Sequence, residues 1–178
     1  MTILLWAALG LVSIVGLLFL AGRRRVVHRN VPFARLRHFA WSLLFQMAPG
    51  GFFIAERRAG PGFLQLALRD VRGETYAVEF GLPDIDWSTN AFDSLQLTLA
   101  DNGFEPTVET GTGEVSRFMR VVIEGLEPEV IDRTMELFSL TIGRLHWAND
   151  STFDVHFGGP LDVGRVLGFL AKAKRRGA

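Results

Sequence analysis

The side chains that could perform acid–base or nucleophilic chemistry are few in this chain of 178 residues. There is no cysteine, which excludes disulfides, thiolate metal ligands and a cysteine nucleophile. His146 and His156 flank Asp150, Ser151 and Asp154, the residue types of a Ser-His-Asp hydrolase. Nothing around Ser151 resembles the glycine-flanked turn that exposes a nucleophilic serine. We therefore expect His156 to be an ordinary residue on the face of a strand.

Three further polar groupings have a simpler structural explanation. Asp84-x-Asp86 could bind calcium but lacks the later glutamate of an EF-hand, so helix capping is expected. The segment 110–114 lacks the Lys-Ser/Thr pair of a phosphate loop and predicts a hairpin turn. His28 and His38 could bind haem or a metal, but ten residues is not a ligand spacing on one helix. The sequence therefore predicts no cofactor, no metal site and no catalytic residue.

The strongest signal in the sequence is the uncharged segment 3–21, whose only polar residue is Ser13. As a helix it would span roughly 28 Å, close to the hydrocarbon core of a bilayer at about 30 Å. A cleaved signal peptide would carry basic residues before its apolar core, whereas here the arginines follow it. We predict a single transmembrane anchor at residues 1–22, with the N-terminus outside and the remaining chain on the cytoplasmic side.

Residues 23–55 form a basic and aromatic segment next to the predicted anchor. Between Pro32 and Pro49, apolar residues recur at helical spacing, while Arg35 and Arg37 point elsewhere. This pattern is typical of a helix lying in the membrane interface. The alternatives are packing on the soluble domain and docking on a partner subunit. The residues predicted to fix topology and to form the interface are Trp6, Arg23, Arg24, Arg25, Arg29, Phe33, Arg35, Arg37, Trp41 and Phe45.

Residues 56–178 predict a soluble α+β domain with a small antiparallel sheet and helices packed on one face. The expected element order is roughly ββαββαβα. Strands are predicted at residues 63–68, 75–80, 105–110, 118–124 and 151–157, from alternation and turn signals. Helices are predicted after Ser88, from Glu127-Pro128-Glu129, and at 163–174.

Charge is distributed unevenly along a chain whose net charge is zero. Residues 1–55 contain six arginines and no acidic residue, whereas residues 56–178 contain 13 basic and 19 acidic residues. An acidic domain lacks the basic face that nucleic-acid phosphates require, so no nucleic-acid partner is expected. Trp147 follows a predicted helix and is a candidate partner surface, since tryptophan is favoured at interface hot spots. Core or cap packing is nevertheless the favoured prediction for Trp147.

The absence of a recognisable chemical site favours a non-enzymatic function. We expect an accessory or scaffold subunit of a larger membrane protein complex, with the lipid bilayer and other membrane subunits as partners. The first alternative is a membrane-tethered peptide- or protein-binding module of chaperone-like type. The second is an enzyme with an unrecognised site. No small-molecule substrate is evident from the residues.

Overall fold

The computed structural model describes residues 26–70, 76–111, 113, 115–124, 128–147 and 151–162. Within these ranges the chain forms an α+β fold, as predicted, with a seven-stranded sheet and three helices. The elements in chain order are β1 (Val26–Pro32), α1 (Phe33–Gln46), β2 (Phe52–Arg57), β3 (Phe63–Asp70), β4 (Tyr76–Pro83), α2 (Thr89–Asp101), β5 (Thr107–Thr110), β6 (Arg117–Glu124), α3 (Pro128–Arg144) and β7 (Thr152–Gly158).

The strand order across the sheet is β1-β7-β2-β3-β4-β6-β5, and every neighbouring pair is antiparallel. The last described strand, β7, lies between β1 and β2. The first and last strands of the described chain are therefore neighbours in the sheet. β1 and β5 are the two edges. The predicted order ββαββαβ is confirmed from β3 to β7, while β1, α1 and β2 precede it.

One face of the sheet forms the core because apolar residues alternate along the strands and fall in register. Phe53, Leu66, Phe80 and Val121 lie side by side on β2, β3, β4 and β6, and each is at most 1% exposed. The ring of Phe138 on α3 lies 5.9 Å from that of Phe53 and 6.1 Å from that of Phe80. All three helices contribute buried residues to this cluster.

The segment 23–55, expected to stand apart from the domain, is part of the fold from residue 26 onward. β1 and β2 are strands of the common sheet, and α1 packs against β2, β3 and β7. Residue 56 therefore lies inside strand β2 rather than at a structural boundary. Phe52–Ala55 is a continuous apolar run rather than an alternating one, because both faces of this central strand are largely covered. Such a run is easily taken for part of a membrane-proximal segment.

Helix α1 confirms the predicted apolar stripe but buries it in protein rather than presenting it to lipid. Leu36, Leu43 and Leu44 are fully buried and Ala40 is 1% exposed. Burial of this stripe stabilises the domain by roughly 1.5–3 kcal/mol for each large side chain. The three environments considered for this helix were the membrane interface, the soluble domain and a partner subunit. The structure shows that its apolar face packs on the domain. Contact between its outer face and lipid stays a prediction.

The predicted anchor lies outside the described residues, as does the predicted helix at 163–174. Among the helices that the structure does describe, none combines the length and apolarity needed to cross a membrane.

A charged network fastens the loop between β4 and α2. The carboxylate of Asp84, 4% exposed, accepts hydrogen bonds from Thr89 Oγ1 at 2.6 Å and Arg117 Nε at 2.8 Å. The same guanidinium reaches Asp93 of α2 at 2.7 Å. Asp84 therefore links β6 to the start of α2. Asp84 is predicted to cap the helix. In the structure its carboxylate instead accepts a hydrogen bond from the side chain of Thr89, the first residue of α2.

Candidate functional site

An open groove of about 1070 Å³ runs between the edge strand β1 and helix α1. We call it the basic groove; the side chains that give it chemical character are His28, Arg29, Arg35, Arg37, His38 and Trp41. Sequence reasoning had named four of these as interface residues. The two elements belong to the segment that immediately follows the predicted anchor.

The basic groove exists because the chain reverses direction between strand and helix. Pro32 has an extended backbone (φ −69°, ψ 154°) and directly precedes the first helical residue, Phe33. Proline suits this position because its fixed φ is compatible with the start of a helix. No side chain caps the helix N-terminus, and its first turn contains no acidic residue. Side chains from the strand and from the outer face of the helix therefore line the same groove.

Aromatic rings form the floor of the basic groove and join it to the core. The ring of Phe39 lies 4.9 Å from that of His28 and 5.7 Å from that of His38. On its other side Phe39 stacks on buried Phe53, with ring centroids 6.1 Å apart. The two histidines thus flank one phenylalanine that is anchored in the core. This arrangement positions them from two different elements despite their separation of ten residues.

The charge of the basic groove is of one sign, since no acidic side chain lines it. Arg37 forms an exposed ion pair with Asp132 of α3, with Nη1 2.5 Å from Oδ1. Arg29 and Arg35 are exposed, and neither has an ion-pair partner among the described residues. Exposed ion pairs contribute little, so Arg37 remains available to an anion. The groove therefore offers positive charge beside aromatic surface.

The outer edge of β1 is a poor template for another strand. Pairing with β7 shifts register between His28 and Val31, where Asn30 adopts a left-handed backbone with φ 56°. The Asn30 amide donates to Asp154 Oδ1 at 3.1 Å, and Arg58 donates to the Asn30 side chain. A bulge and a proline are common devices against edge-to-edge pairing. The edge of β1 is therefore poorly suited to the addition of another strand.

The predicted interface residues fall into three groups. Arg29, Arg35, Arg37 and Trp41 line the basic groove together. Phe33 and Phe45 are half-buried and pack against the core, Phe45 with its ring 5.0 Å from that of Trp41. The remaining residues lie outside the described ranges: Trp6, Arg23, Arg24 and Arg25.

Sequence reasoning treated His28 and His38 as unrelated surface residues, and both are indeed exposed. What it missed is that they share a groove with the arginines. The available signal was Pro32, which lies between them and permits a strand to turn directly into a helix. Without β1 in the prediction, there was no reason to place His28 opposite His38.

Trp147, proposed as a partner surface, is instead only 6% exposed. Its ring lies 6.0 Å from that of Trp87 and 6.1 Å from that of Phe153. Gly62 (φ +124°) packs so closely that a Cβ there would lie 2.3 Å from the Trp147 ring. Core packing, the favoured prediction for Trp147, therefore describes this side chain, because the loop between β2 and β3 covers it.

The possible Ser-His-Asp group is only partly described, because Asp150 lies outside the described residues. Ser151 is buried at 6% exposure, and His156 Nε2 lies 2.9 Å from Glu56 Oε2 on the neighbouring strand. His156 is thus on a strand face, as predicted. Within the described ranges no group of three or more histidine, aspartate or glutamate side chains is placed to hold a metal ion.

The chain shows no match to protein-family models, to curated proteins or to solved structures. Its function is therefore argued from its own residues.

Proposed function

We propose that this chain is a non-enzymatic, membrane-anchored accessory or scaffold subunit of a larger membrane protein complex. Its single helix would hold the α+β domain at the bilayer surface. The observation that carries the proposal is the placement of the basic groove at residues 26–46. Only the three residues 23–25 separate β1 from the predicted anchor, so the strand begins within about 14 Å of it.

A scaffold role is supported by the way the domain is built. The edge strand next to the predicted anchor belongs to the same sheet as β7 and β2 rather than to a flexible tether. Because Asn30 is bonded to Arg58 and Asp154, the strand that follows the predicted anchor is coupled to the body of the domain. Such coupling suits a subunit that holds a fixed position in an assembly.

Purification of the tagged full-length chain in a mild detergent, followed by mass spectrometry, tests this function. We expect other membrane proteins to co-elute at constant stoichiometry and to remain bound after a wash at about 0.5 M salt, where charge interactions are screened within about 4 Å. The same tag on an unrelated single-pass protein provides the background. Elution of the chain as a lone monomer would contradict the proposal.

A second candidate function is a membrane-tethered binding module that captures an acidic peptide or protein transiently. The volume and uniform charge of the basic groove favour it. Here association is steered by charge, so the partner should be lost in the salt wash. Retention of stoichiometric partners in high salt would reject this candidate and support the accessory subunit.

A further inference from the structure

We infer that the basic groove is a binding site for the phosphate headgroups of anionic phospholipids in the bilayer beside it. This inference rests on the proposed membrane anchoring, and it deepens that proposal by naming the surface of the domain that faces lipid. The helix α1 would then meet the membrane with its polar, arginine-bearing side. The interfacial arrangement expected from the sequence had its apolar side in the lipid.

Charge complementarity within the groove is the first argument. Arg29 and Arg35 are exposed and lack ion-pair partners in the described part of the chain, and no carboxylate lines the groove. Guanidinium groups bind phosphate oxygens through two parallel hydrogen bonds. Two such groups on facing elements suit an anion that enters from the open side. Trp41 supplies the amphipathic ring that favours the level of the headgroups.

The distribution of charge across the sheet is the second argument. Residues 26–46, which form β1 and α1, contain three arginines and no acidic residue, a formal charge of +3. Residues 76–124, which extend from β4 through β6, contain nine acidic and two basic residues, a formal charge of −7. Since β1 and β5 are opposite edges of one sheet, the domain has a positive and a negative end.

This polarity orients the domain on a negatively charged surface. The cytoplasmic leaflet attracts basic groups within about one Debye length and repels acidic ones. The positive end therefore turns toward the bilayer while the acidic end faces away. The occupant is a lipid phosphate rather than an acidic protein, because the predicted anchor keeps the β1 edge of the sheet permanently beside the bilayer. A protein partner would have to displace lipid to reach it.

Depth-dependent quenching in lipid nanodiscs tests the inference with the full-length chain. The natural chain has no cysteine, so a single fluorophore can be attached through Ala34→Cys in the groove or Leu97→Cys on α2. Leu97 is 68% exposed and lies on the acidic side, which makes it the matched control. A nitroxide on the lipid headgroup should quench the label at residue 34 in nanodiscs with phosphatidylglycerol. The fluorescence of the label at residue 97 should be unchanged.

Charge-reversal variants identify the residues responsible. Arg35→Glu, and independently Arg29→Glu, should lower the ratio of docked to undocked domain at least about five-fold, the effect of one arginine near an anionic surface. Arg144→Glu carries the same change of charge at the exposed end of α3 and should leave quenching unchanged. Equal denaturation midpoints for all three variants establish that the fold is retained.

Three results would overturn the inference. The first is equal quenching at residue 34 in nanodiscs with and without phosphatidylglycerol. The second is an equal loss for Arg144→Glu and Arg35→Glu. The third is cross-linking of the residue-34 label to a protein in the purified complex. Failure of the anchoring proposal is separately visible, because the chain would then be released from membranes by alkaline carbonate.

Discussion

Asp84 is the residue at which charge and packing are most tightly coupled in the described part of the chain. Burial by itself raises the pKa of its carboxyl, but hydrogen bonds from Thr89 and Arg117 outweigh this cost and hold the pKa below the ordinary value of 3.8. The ionised form is therefore stabilised in the folded state. Its contribution is complete above the pKa of an unfolded aspartate, about 3.9, and is lost as the pH falls through the lower folded value.

We therefore expect Asp84→Asn to lower the free energy of unfolding by about 1–2 kcal/mol at neutral pH, because two hydrogen bonds to a charged acceptor are weakened. The difference from the natural chain should begin to shrink below about pH 4, where the unfolded aspartate takes up its proton, and should vanish only once the pH has fallen through the lower pKa of the folded Asp84. Urea denaturation in mild detergent, followed by tryptophan fluorescence, measures it. Asp86→Asn, an exposed neighbour with the same change of charge, serves as the control. Equal stability of the two variants would argue against the network.

At the scale of the element, the burial of α1 side chains distinguishes packing on the domain from contact with lipid or with a partner subunit. Leu43 is fully buried against the sheet, so Leu43→Ala should destabilise the domain by about 2–5 kcal/mol, from lost burial and the remaining cavity. The matched change Leu97→Ala removes a side chain that is 68% exposed and should cost less than about 0.5 kcal/mol. If both changes had equally small effects on the denaturation midpoint, α1 would not be part of the core.

The helices and strands from β3 onward were predictable because their hydrophobic periodicity agrees with the residues that begin and end them. Asn102-Gly103 ends α2 with Gly103 at φ +73°, and Pro128 opens α3, both as expected. The strand β1 was not predicted because an edge strand with three consecutive polar residues and a proline lacks clear alternation. The basic groove could not be predicted either, since it needs β1 and α1 side by side. Only the three arginines and Trp41 that line it were identifiable from their residue types.

At the scale of the whole molecule, the predicted topology places the domain on the inner side of a membrane. The absence of cysteine makes a direct test available, with Thr2→Cys and Leu97→Cys as single-cysteine chains. A membrane-impermeant maleimide should label the first variant in intact cells and the second only after permeabilisation, if the arginines after the predicted anchor keep the domain inside. Labelling of the residue-97 variant in intact cells would contradict this orientation.

The pairing of β1 with β7 also sets an order of events during synthesis. The only described strand that pairs with β1 is β7, which begins 120 residues after β1 ends. At about 5–20 residues per second, translation of that interval takes roughly 6–24 s. The predicted anchor is synthesised before this interval, so its insertion into a membrane would precede completion of the sheet. The newborn domain thus spends these seconds with β1 unpaired, which makes that strand the point at which a nascent chain would first need protection.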